Sequence, residues 1–540
     1  MHTDPNFDYI IIGAGSAGAV VANRLSHSGR HSVLVLEAGG SDLTPYVQVP
    51  IGYGKTYYDK RVNWKYETLP VDGLDGRTSY CPRGKVLGGS SSINAMVYVR
   101  GHEHDYAQWN AVAPGWSWQE VEPLFRRMEA WKGEHSQFRG RNGPLSVTDI
   151  SSQAHPLCST YLDAAVELQL PVVQDYNAES MEGATLYQIT TDGGFRASTA
   201  RAYLRPAMAR ANLTVMTHAL VQRLLLNKAG VDGVEYRHKG EMRRVKARAE
   251  VVLCAGAINS PQLLQLSGLG PKSVLQAAGV QVRRELPAVG EHLSDHLGAD
   301  IVCRTNVATL NQFLGPWHGK LRAAFQWLAG GKGPLALSLN QAGGFIKTRP
   351  DIAGPDLQLY FSPVSYTRAP PGTRPLIRPD PFPGFLIGFN PCKPTSMGHV
   401  HIGSADPNTA PTIQPNYLST DYDLDWMLRE MRLIRALTET ESLGRVIEDE
   451  VYPGRAVQTD EQMMDFIRQN AWTVFHPCGT CRMGSSLQSS VVDNKLRVHG
   501  MQGLRIADAS VFPTIPTGNT NAPAIMVGEK ASDLILADAI

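Results

Sequence analysis

Residues 6–40, NFDYIIIGAGSAGAVVANRLSHSGRHSVLVLEAGG, leave the start of this chain very little choice of fold. An apolar run, DYIIIG (8–13), leads into Gly13, Gly15 and Gly18, spaced G-x-G-x-x-G. An Ala/Val/Leu stretch at helical spacing (17–27) follows, and then a second apolar run, SVLVLEAG (32–39). Continuous apolar runs suit strands buried on both faces, so the expected order is strand, turn, helix and parallel strand. In that context the glycines let backbone approach a pyrophosphate, while Ser16 and Ala17 lie where the helix N-terminus offers N–H donors and positive dipole. Glu37, followed by Ala38, ends the second run, where a carboxylate can accept hydrogen bonds from ribose hydroxyls. NAD and FAD share this fingerprint, so it does not choose between them.

Two more strands of the same kind are expected far along the chain. EVVLCAGA (250–257) precedes a predicted helix at 259–268, with Ser260 as a cap and Pro261 in the first turn. GLRIADAS (503–510) precedes a segment whose second half also reads as a helix. The dinucleotide-type sheet is therefore expected to be assembled from separated segments. Between them, proline recurs through 362–385 too often for helix or central strand, which predicts a long ordered loop or an edge. Trp317, Leu321, Phe325 and Leu328 recur at helical spacing and predict a buried or subunit-facing helix, with a membrane or a partner as the alternative contact.

At 540 residues the chain exceeds one ordinary core. With 51 Lys+Arg against 50 Asp+Glu, no charge surplus exists to neutralise a nucleic acid. The seven cysteines are too few for a disulfide framework and fit a reducing compartment. The run YIIIGAGSAGAVVA (9–22) is short and Gly-rich for a membrane span, and Asp4 and Asp8 precede it where a signal peptide carries positive charge. The expectation is a cytoplasmic protein without an integral membrane segment, peripheral membrane contact being the alternative.

PRGKVLGGSSSINAMVYVRG (82–101) supplies a Gly pair and a Ser run, small enough for main chain to lie against a large planar ligand, or simply to form a tight turn. With GAINSPQLLQLSGLG (256–270), it resembles the two signature motifs of the glucose-methanol-choline (GMC) flavoprotein oxidoreductases, most closely their choline-dehydrogenase-like, alcohol dehydrogenase branch. The likeness continues in family order through SVLVLEAGG, ASTARAYLRPA (197–207), VGEHLSDH (289–296), FHPCGTCRMG (475–484) and the segment from Gly503 onward.

The resemblance implies an α/β chain, α+β overall. A Rossmann-like FAD-binding domain would draw on residues 1–155, 205–300 and 470–540. A substrate domain with an antiparallel sheet flanked by helices would take 156–204 and 301–469. It also implies that Val221 meets adenine through its backbone, that Gly88, Ser92, Asn94, Ala95 and Met96 line the pyrophosphate and isoalloxazine, and that Ala255, Asp508 and Ala509 complete the FAD site. Some members attach FAD through a histidine in the first motif; Ile93 stands at that position and offers no nucleophile, so FAD is expected to be non-covalent.

FHPCGTC (475–481) admits three readings from its residues. PCGTC matches the P-C-x-x-C half of a zinc deaminase, although no H-x-E triplet accompanies it; HLSDH (292–296) places two histidines at i, i+4, which a helix face or a loop cap explains as well. Cys478 and Cys481 form a C-x-x-C, which acts as a dithiol only where a thiol pKa is lowered. His476 is a candidate general base, because neutral imidazole accepts a proton near pH 7. The family places its catalytic histidine here and a second His or an Asn before the last helix, which corresponds to Asn519, with Asn521 read as structural. The implied reaction is oxidation of a small-molecule alcohol to an aldehyde or ketone, with the hydride passing to flavin N5 and oxygen, a quinone or another carrier as electron acceptor. A light-driven decarboxylase and a non-catalytic flavin-binding protein are the alternatives. Phe361, Tyr366, Phe382 and Phe385 suggest an uncharged or aromatic substrate, or else core packing; a homodimer is compatible with the helix at 317–328.

Overall fold

The computed structural model describes residues 5–366 and 378–539. Ile10, Ile11 and Ile12 are each at most 5% exposed, so the strand Asn6–Ile12 is covered on both faces, as an apolar run without alternation requires. Burying each of these side chains is worth about 1.5–3 kcal/mol. The strand lies parallel between Val33–Leu36 and the long strand Glu241–Leu253. Leu213–Met216 extends the sheet on one side, and Leu504–Ile506 adds in parallel to the inner end of Glu241–Leu253 on the other. The outer half of Glu241–Leu253 instead pairs antiparallel with Val231–His238, which pairs with Ala219–Leu226. Neighbours in this sheet thus come from residues 6–36, 213–253 and 504–506, the discontinuous Rossmann-like assembly expected.

The helix Gly18–Ser26 starts directly after the glycine turn. Gly13 adopts φ +95°, and a Cβ there would meet the Cys254 carbonyl oxygen at 2.5 Å; at Gly18 it would meet the Gly13 oxygen at 2.0 Å. Both glycines are needed for the turn to pack against the end of the neighbouring strand. The expected helix at 259–268 forms earlier, as Gly256–Leu266, so Ser260 and Pro261 fall inside it rather than at its cap and first turn. A proline inside a helix deprives the carbonyl four residues earlier of its donor. Here that carbonyl is Ala257, and the Thr480 hydroxyl donates to it at 2.6 Å. The CGTC segment therefore completes a helix begun more than two hundred residues earlier in the chain.

A second sheet is wholly antiparallel, in the order Ile447–Tyr452, Leu297–Thr305, Gly384–Pro391, Leu357–Ser362, Ala342–Ile346 and Gly183–Leu186. Helices Leu157–Glu167 and Asp421–Thr438 cover it, with Tyr161, Met427, Met431 and Ile434 packing into one cluster with Phe361, Phe385 and Ile387. Phe361 and Phe385 are thus core residues, not substrate contacts, and half-buried Phe382 lies under the Arg304 guanidinium at 4.8 Å. Of the proline-rich stretch 362–385, residues 367–377 lie outside the described residues; its flanks end one central strand and begin the next. Trp472–Thr473 pairs with the first residues of Leu297–Thr305 and ties the C-terminal segment to this sheet.

The helix expected around Trp317 forms, as Trp317–Gly330, yet its large apolar side chains are not buried. Its inner face carries Gly319 and Ala323, and these small residues let it lie close to the body while Trp317, Leu321, Phe325 and Leu328 face outward.

Removing the Thr480 hydroxyl leaves the Ala257 carbonyl without its donor. Thr480→Val should therefore lower unfolding free energy by about 1–3 kcal/mol, the usual cost of an orphaned buried acceptor. Urea denaturation of both proteins measures it.

Candidate active site

The two motifs HLSDH and FHPCGTC run side by side. Val474 N–H donates to the His296 carbonyl at 2.8 Å, and Ser294 and Cys478 exchange backbone hydrogen bonds at 3.1 and 2.9 Å. His292, at φ +62°, and His296 therefore flank a short backbone ladder rather than sharing one helix face. Buried Asp295 organises the crossing: one carboxylate oxygen accepts the His476 backbone N–H at 2.8 Å, and the other accepts the Tyr417 and Thr473 hydroxyls at 2.6 and 2.5 Å. Phe475 adopts φ +69°, an unusual conformation for a bulky residue, and its carbonyl accepts from the Arg83 guanidinium at 2.7 Å. This turn points the His476 ring away from the ladder.

His476 Nδ1 lies 2.9 Å from His296 Nδ1, and His296 Nε2 lies 3.0 Å from the Cys392 carbonyl oxygen. A carbonyl only accepts, so His296 carries its proton on Nε2 and leaves Nδ1 bare. His476 must then donate from Nδ1, which leaves its Nε2 unprotonated. Asn519 Nδ2 reaches that nitrogen at 3.0 Å, while Asn519 Oδ1 accepts from Gln358 Nε2 at 3.0 Å. The hydrogen-bond chain thus assigns one tautomer to both rings and aims a basic lone pair beside Asn519. Burial holds His476 well below the usual imidazole range, with the neighbouring His296 and Arg83 adding to it, and burial lowers His296 to about 4. Both rings are neutral at pH 7.

A cavity of about 840 Å³ opens on this pair and runs to the glycine turn. Gly13, Gly15, Ser16, Ala17, Glu37, Ala38, Asn94, Ala95, Met96, Val221, Ala255, Asp508 and Ala509 line it together with His476 and Asn519. Gly18, Gly88 and Ser92 do not. Gly18 packs on Gly13 as described, Gly88 donates its N–H to the Ala14 carbonyl at 2.8 Å, and Ser92 donates to the Leu87 carbonyl at 2.7 Å, so these three shape the walls from behind. The helices Gly18–Ser26, Gly256–Leu266 and Asn521–Asp538 all begin at the cavity, and Ser16 Oγ donates to Asn521 Oδ1 at 2.8 Å to tie two of these ends together. Three positive helix ends suit an anionic pyrophosphate. At Gly15 a Cβ would find nothing nearer than 3.9 Å, a gap that a side chain would occupy and a ligand can use.

Glu37 accepts the Ala14 and Gly39 N–H groups at 2.9 and 2.7 Å, and its burial raises it to about 6. Asp508 is engaged inward, accepting from Gly256 N–H at 2.8 Å, Ser260 Oγ at 2.6 Å and Ser510 N–H at 2.8 Å, so its side chain builds the helix start rather than reaching outward. Toward His476 the lining turns aromatic, with Tyr53, Tyr57, Tyr360, Tyr366, Trp472 and Phe475. His296 is the functional neighbour that sequence reasoning missed. Its only signal was its spacing from His292, and that spacing suggested a different geometry. Cys478 and Cys481 are fully buried, and burial pushes both thiols well above their ordinary range, the reverse of what a working dithiol needs. Among the described residues no three His, Cys, Asp or Glu side chains group as metal ligands.

This fold and cavity define a dinucleotide-binding protein. Two family models described as GMC oxidoreductase match residues 7–298 and 394–528, and the chain belongs to that family. It is 42% identical to the oxygen-dependent choline dehydrogenase of Photobacterium profundum (98% of this chain, 93% of the relative) and 38% identical to the alcohol dehydrogenase [acceptor] of Pseudomonas putida (98% and 96%). Its fold matches pyridoxine 4-oxidase from Mesorbium loti at TM-score 0.87 and 29% identity (97% and 98% covered), and formate oxidase at 0.92 and 26% (99% of each chain). FAD is the family's cofactor, and the glycine turn, the three helix ends and Glu37 are residues that fit it.

Because burial depresses His296, the unfolded chain takes up a proton at about pH 6.5 while the folded chain resists it down to about pH 4. Its contribution to stability is complete above that window and falls as pH drops through it. His296→Gln removes the titrating group, so the stability gap between wild type and variant should narrow between pH 7.5 and pH 5. Urea denaturation at both pH values measures the gap; a widening would contradict the assignment.

Proposed function

We propose that this protein oxidises an alcohol, CH–OH, to an aldehyde or ketone, with non-covalent FAD bound along the cavity. The observation that carries the reading is the bare Nε2 of His476, 3.0 Å from the Asn519 amide, in the same cavity as the dinucleotide cradle. The names of the similar choline and alcohol dehydrogenases agree with it. Bound there, FAD supplies the acceptor for the hydride that leaves the carbinol carbon. The chain's own residues handle the proton and the geometry. The Asn519 amide donates to the substrate oxygen and orients the hydroxyl. His476 Nε2 takes the hydroxyl proton, while its Nδ1–H stays bonded to His296 and keeps the ring from turning. Carbonyl product and a protonated His476 result. Val221 offers backbone to the adenine, and Glu37 offers carboxylate oxygens to the ribose. Residues 1–155, 205–300 and 470–540 form the FAD-binding domain in this proposal, and 156–204 with 301–469 the substrate domain. Tyr366 and the aromatic lining favour an uncharged or aromatic alcohol.

Ile93 is buried beside the cavity and has no nucleophile, so acid precipitation should release all FAD into the supernatant. Colour retained in the pellet would contradict non-covalent binding.

Oxidation requires neutral His476, so its rate should rise with pH through one inflection, which the lowered imidazole places below about 6.5. His476→Ala should keep FAD yet slow anaerobic flavin reduction by roughly 10² to 10⁴, and stopped-flow mixing with an alcohol panel tests this. Reduction of that variant at the wild-type rate would place the base elsewhere.

A further inference from the structure

The helix Trp317–Gly330 exposes Trp317, Leu321, Phe325 and Leu328 at 73%, 61%, 73% and 76%. At about 100° per residue the four fall within an arc of roughly 80°. On the opposite side Ala323 is buried in one cluster with Tyr53, Tyr57 and Met96, which also line the active-site cavity.

The charges on the helix itself and just beyond its end are of one sign. Lys320 lies on one flank of the arc, His318 and Arg322 on the other, and Lys332 just beyond the helix end; Lys320, Arg322 and Lys332 are exposed. Residues 301–350 contain no Asp or Glu at all. The Arg322 guanidinium lies over the Phe313 ring at 5.6 Å, which holds this cation beside the stripe. Fourteen residues are too few to cross a bilayer, and no helix among the described residues is long and apolar enough to do so. A helix with a narrow apolar face, a tryptophan at one end and cations along both flanks lies in the plane of a membrane surface.

We infer that this helix seats on an anionic lipid bilayer, with Trp317, Leu321, Phe325 and Leu328 at headgroup depth and Lys320, Arg322 and Lys332 against lipid phosphates. A second copy of the chain fits this face less well, because a two-fold contact through the stripe would bring each cation flank toward its own like. The inference stands independently of the alcohol chemistry.

The test uses the full-length holoprotein and vesicles of phosphatidylcholine with or without phosphatidylglycerol. At low salt the protein should co-sediment with the phosphatidylglycerol vesicles, and at least about tenfold less with pure phosphatidylcholine or at high salt, where the charge attraction is screened. Phe325→Ser with Leu328→Ser should weaken binding at least tenfold while leaving flavin absorbance and melting temperature unchanged, and Lys320→Glu with Arg322→Glu should do the same without touching the apolar stripe. Failure of the wild type to bind phosphatidylglycerol vesicles would overturn the inference, as would equal binding by both variants. A dimer in light scattering that Phe325→Ser dissociates would assign the face to self-association instead.

Discussion

The Cys392 carbonyl cannot donate a hydrogen bond, and the geometry of the candidate site around His476 follows from that. It forces the proton of His296 onto Nε2, hence that of His476 onto Nδ1, hence the lone pair of His476 onto the nitrogen facing Asn519. The three residues are far apart in the chain and are brought together by the antiparallel sheet. Cys392 follows the strand Gly384–Pro391, His296 precedes its partner Leu297–Thr305, and Trp472–Thr473 adds to the start of the latter just before His476. A one-residue slip in this register would turn alternate side chains to the other face and break the chain of hydrogen bonds.

The other sheet does a different job. Its parallel strands end together, and three helices begin where they end, so the unsatisfied N–H groups of Gly18–Ser26, Gly256–Leu266 and Asn521–Asp538 gather at one cavity. Asp508 and Thr480 act at this junction through the helix Gly256–Leu266. Asp508 accepts its first N–H, and Thr480 satisfies the carbonyl that Pro261 leaves open. The segment that carries the candidate base therefore also completes the cofactor side, and FHPCGTC couples the two halves of the site.

Legibility differed from residue to residue. Gly13, Glu37 and the strand–turn–helix order could be read because each depends on neighbours within about thirty positions. Gly18, Gly88 and Ser92 carry the right motifs, yet they shape the cavity through packing and backbone hydrogen bonds behind its wall. Spacing alone does not separate these roles, since a loop that faces a ligand and a loop that supports it use the same small residues. Phe361 and Tyr366 are five positions apart, and one is core while the other lines the cavity. The stripe Trp317, Leu321, Phe325 and Leu328 gave a correct helix whose apolar face is not buried within the chain, because periodicity identifies an apolar face without saying what covers it.

The chain alone determined a dinucleotide-type sheet built from separated segments, a histidine and an amide near the C-terminus as the candidate pair, and the absence of a nucleophile at Ile93. The first is a local fact carried by residue type and short spacing, and the other two are what the resemblance to the GMC oxidoreductases implies. Tertiary structure decided which nitrogen of His476 bears the proton, that His296 and Cys392 are the groups that decide it, and that CGTC is a buried structural link. Those outcomes rest on hydrogen bonds between residues about a hundred or more positions apart, and such partners become neighbours only when the sheets pair in register.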